Sequence, residues 1–211
     1  MMPNLNKVEI AIILDRSGSM QGIRDDMEQG FRAFLEEQRK LPGELVVSLY
    51  QFDDKFDVMY EEIPVQDVKG LNLHPRGFTA LYDAVGKATG LMGERLAAKA
   101  EADRPGGVIV MVITDGQENA SKEYNKEKVQ AIVKHQSEVY KWQFMYLGSD
   151  LSTAQDAAAI NMRSAGYLAS PKGVRGLTAR MSGGVAQYRT STAKGYGGTL
   201  DIPDDPSGNT N

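Results

Sequence analysis

Residues 8–19 read VEIAIILDRSGS, and this stretch decides the fold. Apart from Glu9, residues 8–14 are all apolar, which is typical of a strand covered on both faces of a sheet. The run ends abruptly in the polar sequence DRSGS, residues 15–19. A pattern of helical periodicity follows, with Ile23, Met27 and Phe31 on one apolar stripe. The chain therefore begins with a strand, a polar loop and a helix.

The same alternation continues along the chain and predicts an α/β fold. The predicted architecture is a Rossmann-like, three-layer doubly wound sheet, mostly parallel with one antiparallel edge strand. The antiparallel pair is a hairpin turned by residues 53–55. After the first strand, further strands are predicted at 45–52, 56–60, 108–114, 142–147 and, as an edge, 167–169. Residues 1–193 are predicted to form one domain, and residues 194–211, rich in Gly, Pro and Asp, a flexible tail.

Composition narrows the class of protein. The 211 residues include 24 basic and 28 acidic side chains, a balance that argues against a dedicated nucleic-acid binder. There is no cysteine, which excludes disulfides and thiolate chemistry. No apolar run is long enough to span a membrane, and the N-terminus lacks the pattern of a signal peptide. We expect a cytoplasmic protein that engages neither membranes nor nucleic acid.

Oxygen-bearing side chains cluster where the predicted strands end. Asp15, Ser17 and Ser19 follow the first strand, Asp115 follows the strand 108–114, and Thr79 begins a predicted helix. In an open parallel sheet, ligands bind beyond the carboxyl ends of the strands. Two carboxylates and three hydroxyls form an all-oxygen shell, which suits hard cations such as Mg²⁺, Mn²⁺ or Ca²⁺. These five residues are the predicted metal ligands, and no catalytic residue is predicted.

The motifs resemble the metal-ion-dependent adhesion site of von Willebrand factor A-type domains. Asp15 to Ser19 match its D-x-S-x-S motif, Thr79 its single threonine and Asp115 its final aspartate. The stretches ILDRSGSM and ITDGQENAS are similar to those of small standalone bacterial and phage members. The resemblance implies a protein-binding module in which Mg²⁺ holds a Glu or Asp of a partner. Some bacterial relatives work beside AAA-type ATPases, which makes such an ATPase a candidate partner.

Other interpretations of the same residues compete. The serines and Thr79 could merely cap helices. A metal-dependent phosphohydrolase resembling D-x-D-x-T enzymes is disfavoured, because position 17 is Ser rather than a second Asp. A structural role in a phage or bacterial assembly, with the tail as a docking arm, stays open. Asp53 and Asp54 are predicted to form a solvated turn, and Glu118 with Asn119 either contacts a partner or simply faces solvent.

Overall fold

The computed structural model describes residues 2–149 and 152–205. In this part of the chain six strands form one sheet in the order β3-β2-β1-β4-β5-β6. The strands are β1 (Asn4–Asp15), β2 (Glu44–Phe52), β3 (Phe56–Pro64), β4 (Pro105–Thr114), β5 (Gln143–Gly148) and β6 (Arg163–Gly166). The helices are α1 (Arg24–Arg39), α2 (Leu81–Ala97), α3 (Lys126–Tyr140), α4 (Thr153–Ala159) and α5 (Pro171–Ala193). Short 3₁₀ helices span Gly18–Ile23 and Glu101–Asp103.

The two faces of the sheet explain the apolar run in β1. Ile10, Ile12 and Leu14 pack on one face, in the core that also contains side chains of α1 and α5. Ala11 and Ile13 pack on the other face, with side chains of α2 and α3. Because successive side chains in a strand alternate between faces, a strand covered on both sides must be apolar almost throughout. The predicted three-layer α/β fold is confirmed.

Strand pairing places the predicted site. β1 pairs in parallel with β2 and β4, and β2 pairs with β3 as the predicted antiparallel hairpin. In this register Leu14 lies opposite Ile113, so β1 and β4 end side by side. The loops that follow these two strands therefore meet at the carboxyl edge of the sheet.

Two local predictions are corrected. The last strand is β6 at Arg163–Gly166 and not residues 167–169; its pairing with β5 sets its place, and Tyr167 is buried just beyond it. Residues 197–205 of the predicted tail are irregular, but Leu200 and Ile202 are buried in the core next to α5. That part of the segment is packed because its apolar side chains find a place on the domain. Residues 206–211 lie outside the described residues, as does Asp150 at the predicted end of β5.

Within the described residues no helix has the length and apolar character needed to cross a membrane.

Candidate metal site

The loop after β1 and the loop after β4 bring their polar side chains into contact. Ser17 and Ser19 lie with their hydroxyl oxygens 3.1 Å apart. The Ser19 hydroxyl donates a hydrogen bond of 2.5 Å to Oδ1 of Asp115. Two segments that are 96 residues apart in the chain therefore present their oxygen atoms to each other.

Thr79 joins the same cluster from the loop that precedes α2. A methyl group placed on Gly116 would lie 3.3 Å from Oγ1 of Thr79, 3.7 Å from Oγ of Ser19 and 4.0 Å from Oδ2 of Asp15. One point at Gly116, on the loop after β4, therefore lies close to oxygen atoms of the two other loops. The structure brings together all five residues that the sequence singled out, namely Asp15, Ser17, Ser19, Thr79 and Asp115.

Asp15 lies at the bottom of this cluster and is fully buried. It accepts hydrogen bonds of 2.6 Å from the Ser17 amide and 2.6 Å from the Thr114 hydroxyl. Burial, with a smaller effect from the charge of Asp115, raises the pKa of Asp15 to about 6 against the lowering effect of these hydrogen bonds. Burial also raises the pKa of Asp115. Two desolvated carboxylates facing each other are destabilising alone, and a bound cation would offset that cost.

The chemistry of the donor set fits a hard divalent cation. No group of three or more His, Cys, Asp and Glu side chains suited to a metal occurs among the described residues. A cation site in this part of the chain would therefore depend on hydroxyl oxygens in addition to carboxylates. Mg²⁺ and Ca²⁺ take all-oxygen ligands and keep water in the remaining positions. The cluster supplies such oxygens and is open to solvent at Gly18 and Ser19, which are exposed.

Helix capping does not explain these hydroxyl groups. Ser17 precedes the 3₁₀ helix Gly18–Ile23 but makes no capping hydrogen bond with its side chain. The residue that precedes α2 is Ala80, so Thr79 is not the capping residue of that helix. Ser19 donates to Asp115 instead of accepting from the backbone of a helix. The prediction that Thr79 itself begins α2 is wrong by two positions, and the difference leaves its hydroxyl directed at the cluster.

Solved structures with the same fold identify the architecture. The chain matches proximal thread matrix protein 1 from the mussel byssus with a TM-score of 0.58 and 15% identity, covering 83% of this chain and 45% of that one. It matches a von Willebrand factor type A structure from Catenulispora acidiphila with a TM-score of 0.53 and 14% identity, covering 90% of this chain and 42% of that one. The chain has the von Willebrand factor A fold. It spans less than half the length of either structure.

The likeness is one of fold, because sequence identity this low carries no residue roles with it. No family model matches the sequence. No curated protein matches it either. The roles of the five clustered residues in this von Willebrand factor A fold must therefore be argued from their geometry.

Glu118 and Asn119 hold the Thr79 loop of this A-type fold in place. The Asn119 side chain accepts a hydrogen bond of 2.9 Å from the Thr79 amide, and the Asn119 amide donates one of 3.0 Å to the Thr79 carbonyl. Glu118 accepts from the Tyr82 amide and from the Ser121 hydroxyl. Glu118 is partly buried and Asn119 is exposed, so both residues face solvent in part while their side chains also hold the Thr79 loop, a role that the sequence analysis did not include. The sequence does place them close to the site, because Glu118 and Asn119 follow Asp115 by three and four positions and both carry oxygen atoms that can accept hydrogen bonds.

Asp53 is buried rather than solvated, contrary to the prediction for the turn of the hairpin. Its Oδ2 accepts hydrogen bonds of 2.9 Å from Nε of Arg16 and 2.7 Å from Nε of Arg76. Arg16 is itself buried and also pairs with Asp57. The A-type fold therefore has an ion-pair cluster behind the loop that carries Ser17 and Ser19, in which Asp53 and Arg16 are buried and Asp57 and Arg76 are about half exposed.

Gly116→Ala tests whether the cluster binds a cation without removing any oxygen atom. The new methyl group would occupy the point between Thr79, Ser19 and Asp15, so we expect Mg²⁺ affinity to fall by at least about tenfold. Gly116 does not have a positive φ, so alanine imposes no backbone strain there. Calorimetric titration with Mg²⁺ measures the effect, with Gly22→Ala as the matched control, since a methyl group there meets nothing within 4 Å. Equal affinity in the two variants would place the cation elsewhere.

Proposed function

We propose that this chain is a metal-dependent protein-binding module. One divalent cation, with Mg²⁺ as the first candidate and Mn²⁺ or Ca²⁺ as substitutes, is held by Asp15, Ser17, Ser19, Thr79 and Asp115. The observation that carries the proposal is the convergence of oxygen atoms from three loops. The oxygen atoms of Thr79, Ser19 and the fully buried Asp15 lie close to Gly116, and Ser19 is hydrogen-bonded to Asp115. The exposed side of the cluster leaves room for an acidic side chain of a partner protein to complete the coordination.

The cation would supply the attraction for the carboxylate of the partner, and the residues around it would supply specificity. Phe78 stands beside the cluster with 68% of its surface exposed, although the next residue, Thr79, is buried. Its neighbours are fixed by hydrogen bonds from the Thr79 amide to Asn119 and from the Ala80 amide to the Asp53 carbonyl. Aromatic side chains held in a fixed exposed position are favourable contacts in interfaces. By resemblance, an AAA-type ATPase is the partner class to test first.

Binding is proposed in preference to catalysis. Position 17 is Ser, so the cluster has no second carboxylate beside Asp15 in the place where D-x-D-x-T phosphohydrolases carry their general acid. An assay with a generic phosphate ester and Mg²⁺ distinguishes the two functions. Turnover that disappears in Asp15→Asn would contradict the proposal.

The decisive experiment is an affinity pull-down from the source lysate in Mg²⁺ and in EDTA, with Asp15→Ala as control. We expect one protein to be retained by the wild type in Mg²⁺ and lost under the other conditions. Calorimetry with Mg²⁺ on both purified proteins must show binding only in the wild type. If a protein is retained equally with and without Mg²⁺ and by both wild type and Asp15→Ala, the result would instead favour the structural or assembly role.

Thr79→Ala is expected to weaken partner binding more than metal binding. Thr79 lies on a different loop from the two serines, and its loss leaves Asp15, Ser17, Ser19 and Asp115 to hold the cation. Removal of one neutral oxygen should reduce Mg²⁺ affinity by less than about tenfold. The Kd values for Mg²⁺ and for the captured partner measure the two effects. Equal losses in both would contradict a separate role of Thr79 in partner recognition.

A further inference from the structure

The Asp53 side chain connects three loops at the back of the candidate site. It belongs to the turn between β2 and β3, where its Oδ1 accepts a hydrogen bond of 2.7 Å from the Lys55 amide. Its Oδ2 receives Arg16, from the loop after β1, and Arg76, from the loop before α2. The Asp53 carbonyl also accepts a hydrogen bond of 2.9 Å from the Ala80 amide.

Two of these loops carry the hydroxyl groups of the site. Arg16 lies between Asp15 and Ser17, and Arg76 is three residues before Thr79. The backbone contacts between the two loops are few: the Arg76 amide donates to the Arg16 carbonyl at 2.8 Å, and the Gly18 amide donates to the Gly77 carbonyl at 3.4 Å. The carboxylate of Asp53 therefore provides the main side-chain link between the serine loop and the threonine loop.

Asp53 also balances the positive charges of Arg16 and Arg76. Two guanidinium groups next to a cation site would repel the cation, and Asp53 and Asp57 offset them through ion pairs. Burial alone would raise the pKa of Asp53, but hydrogen bonds from Arg76 and Arg16 lower it below its ordinary value. Asp53 is thus a carboxylate at neutral pH, and it is fully buried. A buried carboxylate between two guanidinium groups has one favourable position, which makes the link stiff.

We propose that Asp53 is a positioning residue of the cation site. It holds Ser17 and Ser19, through Arg16, and Thr79, through Arg76, at the spacing that one divalent cation requires. The inference rests on the proposed function, since it assumes that these hydroxyl groups bind a cation. Groups that orient metal ligands from behind commonly change metal affinity by about 10- to 100-fold when they are altered.

Asp53→Asn and Asp57→Asn form a matched pair for the test. Each substitution removes one negative charge from a partner of Arg16, but only Asp53 also binds Arg76. Calorimetry with Mg²⁺ is expected to show an affinity loss of about tenfold or more for Asp53→Asn and less than about threefold for Asp57→Asn. Equal losses would show that charge alone matters and would overturn the positioning role. Unchanged affinity in Asp53→Asn would overturn it as well.

A double-mutant cycle with Thr79→Ala separates positioning from general destabilisation. If Asp53 acts by placing Thr79, the loss of Mg²⁺ affinity caused by Asp53→Asn must be smaller in a protein that already lacks the Thr79 hydroxyl. If Asp53 only stabilises the fold, the two losses of affinity should add. Additive losses would therefore contradict the proposal. If Asp53→Asn does not fold, Arg76→Gln takes its place, because Arg76 is exposed and its loss releases only the threonine loop. Failure of wild-type protein to bind Mg²⁺ would refute the proposed function itself, which is a different outcome.

Discussion

Asp15→Asn is expected to abolish Mg²⁺ binding and, in metal-free buffer at neutral pH, to make the protein more stable. Asp15 is fully buried, and burial raises its pKa from 3.8 to about 6. An ionised group with such a pKa costs the folded state about 3 kcal/mol at neutral pH, and asparagine removes that cost. Urea denaturation with EDTA measures the free energy of unfolding of both proteins. A less stable variant would show that the hydrogen bonds of the carboxylate outweigh its desolvation.

The pH dependence provides the internal control for this prediction. Because the pKa of Asp15 is higher in the folded than in the unfolded state, its penalty is absent below about pH 4 and complete above about pH 6. In metal-free buffer, wild type should lose stability relative to Asp15→Asn as the pH rises through this window. Mg²⁺ needs the ionised carboxylate, so it should stabilise wild type most at neutral pH and progressively less below pH 6.

Thermal unfolding between about pH 4 and pH 8, with and without Mg²⁺, tests both statements. Titrating groups remote from Asp15, such as Glu62 with a pKa lowered to about 2 despite partial burial, contribute equally to the two proteins and cancel in the difference. The same increase of Tm with Mg²⁺ in wild type and in Asp15→Asn would place the cation away from Asp15.

The sequence predicted the parts of the fold that depend on local patterns. β1 and β4 are buried on both faces, so their apolar runs identify them without knowledge of the partners. Polar residues at the ends of these two strands must meet, because parallel neighbours end at the same edge. That geometric rule is why the grouping of Asp15, Ser17 and Ser19 with Asp115 could be predicted from residues nearly a hundred positions apart.

The features that the sequence did not predict have weak local patterns or depend on contacts with residues far away in the chain. β6 has the sequence RSAG, which carries no strand signal, and its position depends on pairing with β5. Leu200 and Ile202 are isolated apolar residues in a polar segment, so nothing local indicates their burial. The burial of Asp53 depends on Arg16 and Arg76, 37 and 23 residues away. A sequence displays the charges of such residues but not which opposite charges accompany them into the interior.

Among the buried charged residues, Glu9 is expected to have the largest effect on stability, because its carboxylate lies in the middle of the central sheet. It is fully buried and faces the same side as Ala11 and Ile13, under α2. Arg95 of α2 contacts both of its oxygen atoms, at 2.5 Å and 3.2 Å, and Ser48 donates a hydrogen bond of 3.0 Å. This single guanidinium group is what makes the burial of the Glu9 charge tolerable.

Arg95→Met is therefore expected to destabilise the protein by about 3–5 kcal/mol, since it leaves the buried Glu9 charge without its cation. The double variant Glu9→Met with Arg95→Met should regain most of that loss, because two apolar side chains can replace a buried ion pair. Urea denaturation of the two single variants, the double variant and wild type measures the coupling. Additive losses would mean that the pairing with Arg95 is not what stabilises the Glu9 carboxylate, leaving Ser48 as its main partner. Mg²⁺ affinity should stay unchanged wherever the variants are folded, because Glu9 lies six residues, about 20 Å, before Asp15 along β1. The middle and the carboxyl end of β1 thus each carry a buried carboxylate. Arg95 pairs with Glu9 inside the fold, whereas Asp15 has no such arginine among the described residues and, under the proposed function, would be neutralised by a cation from solution.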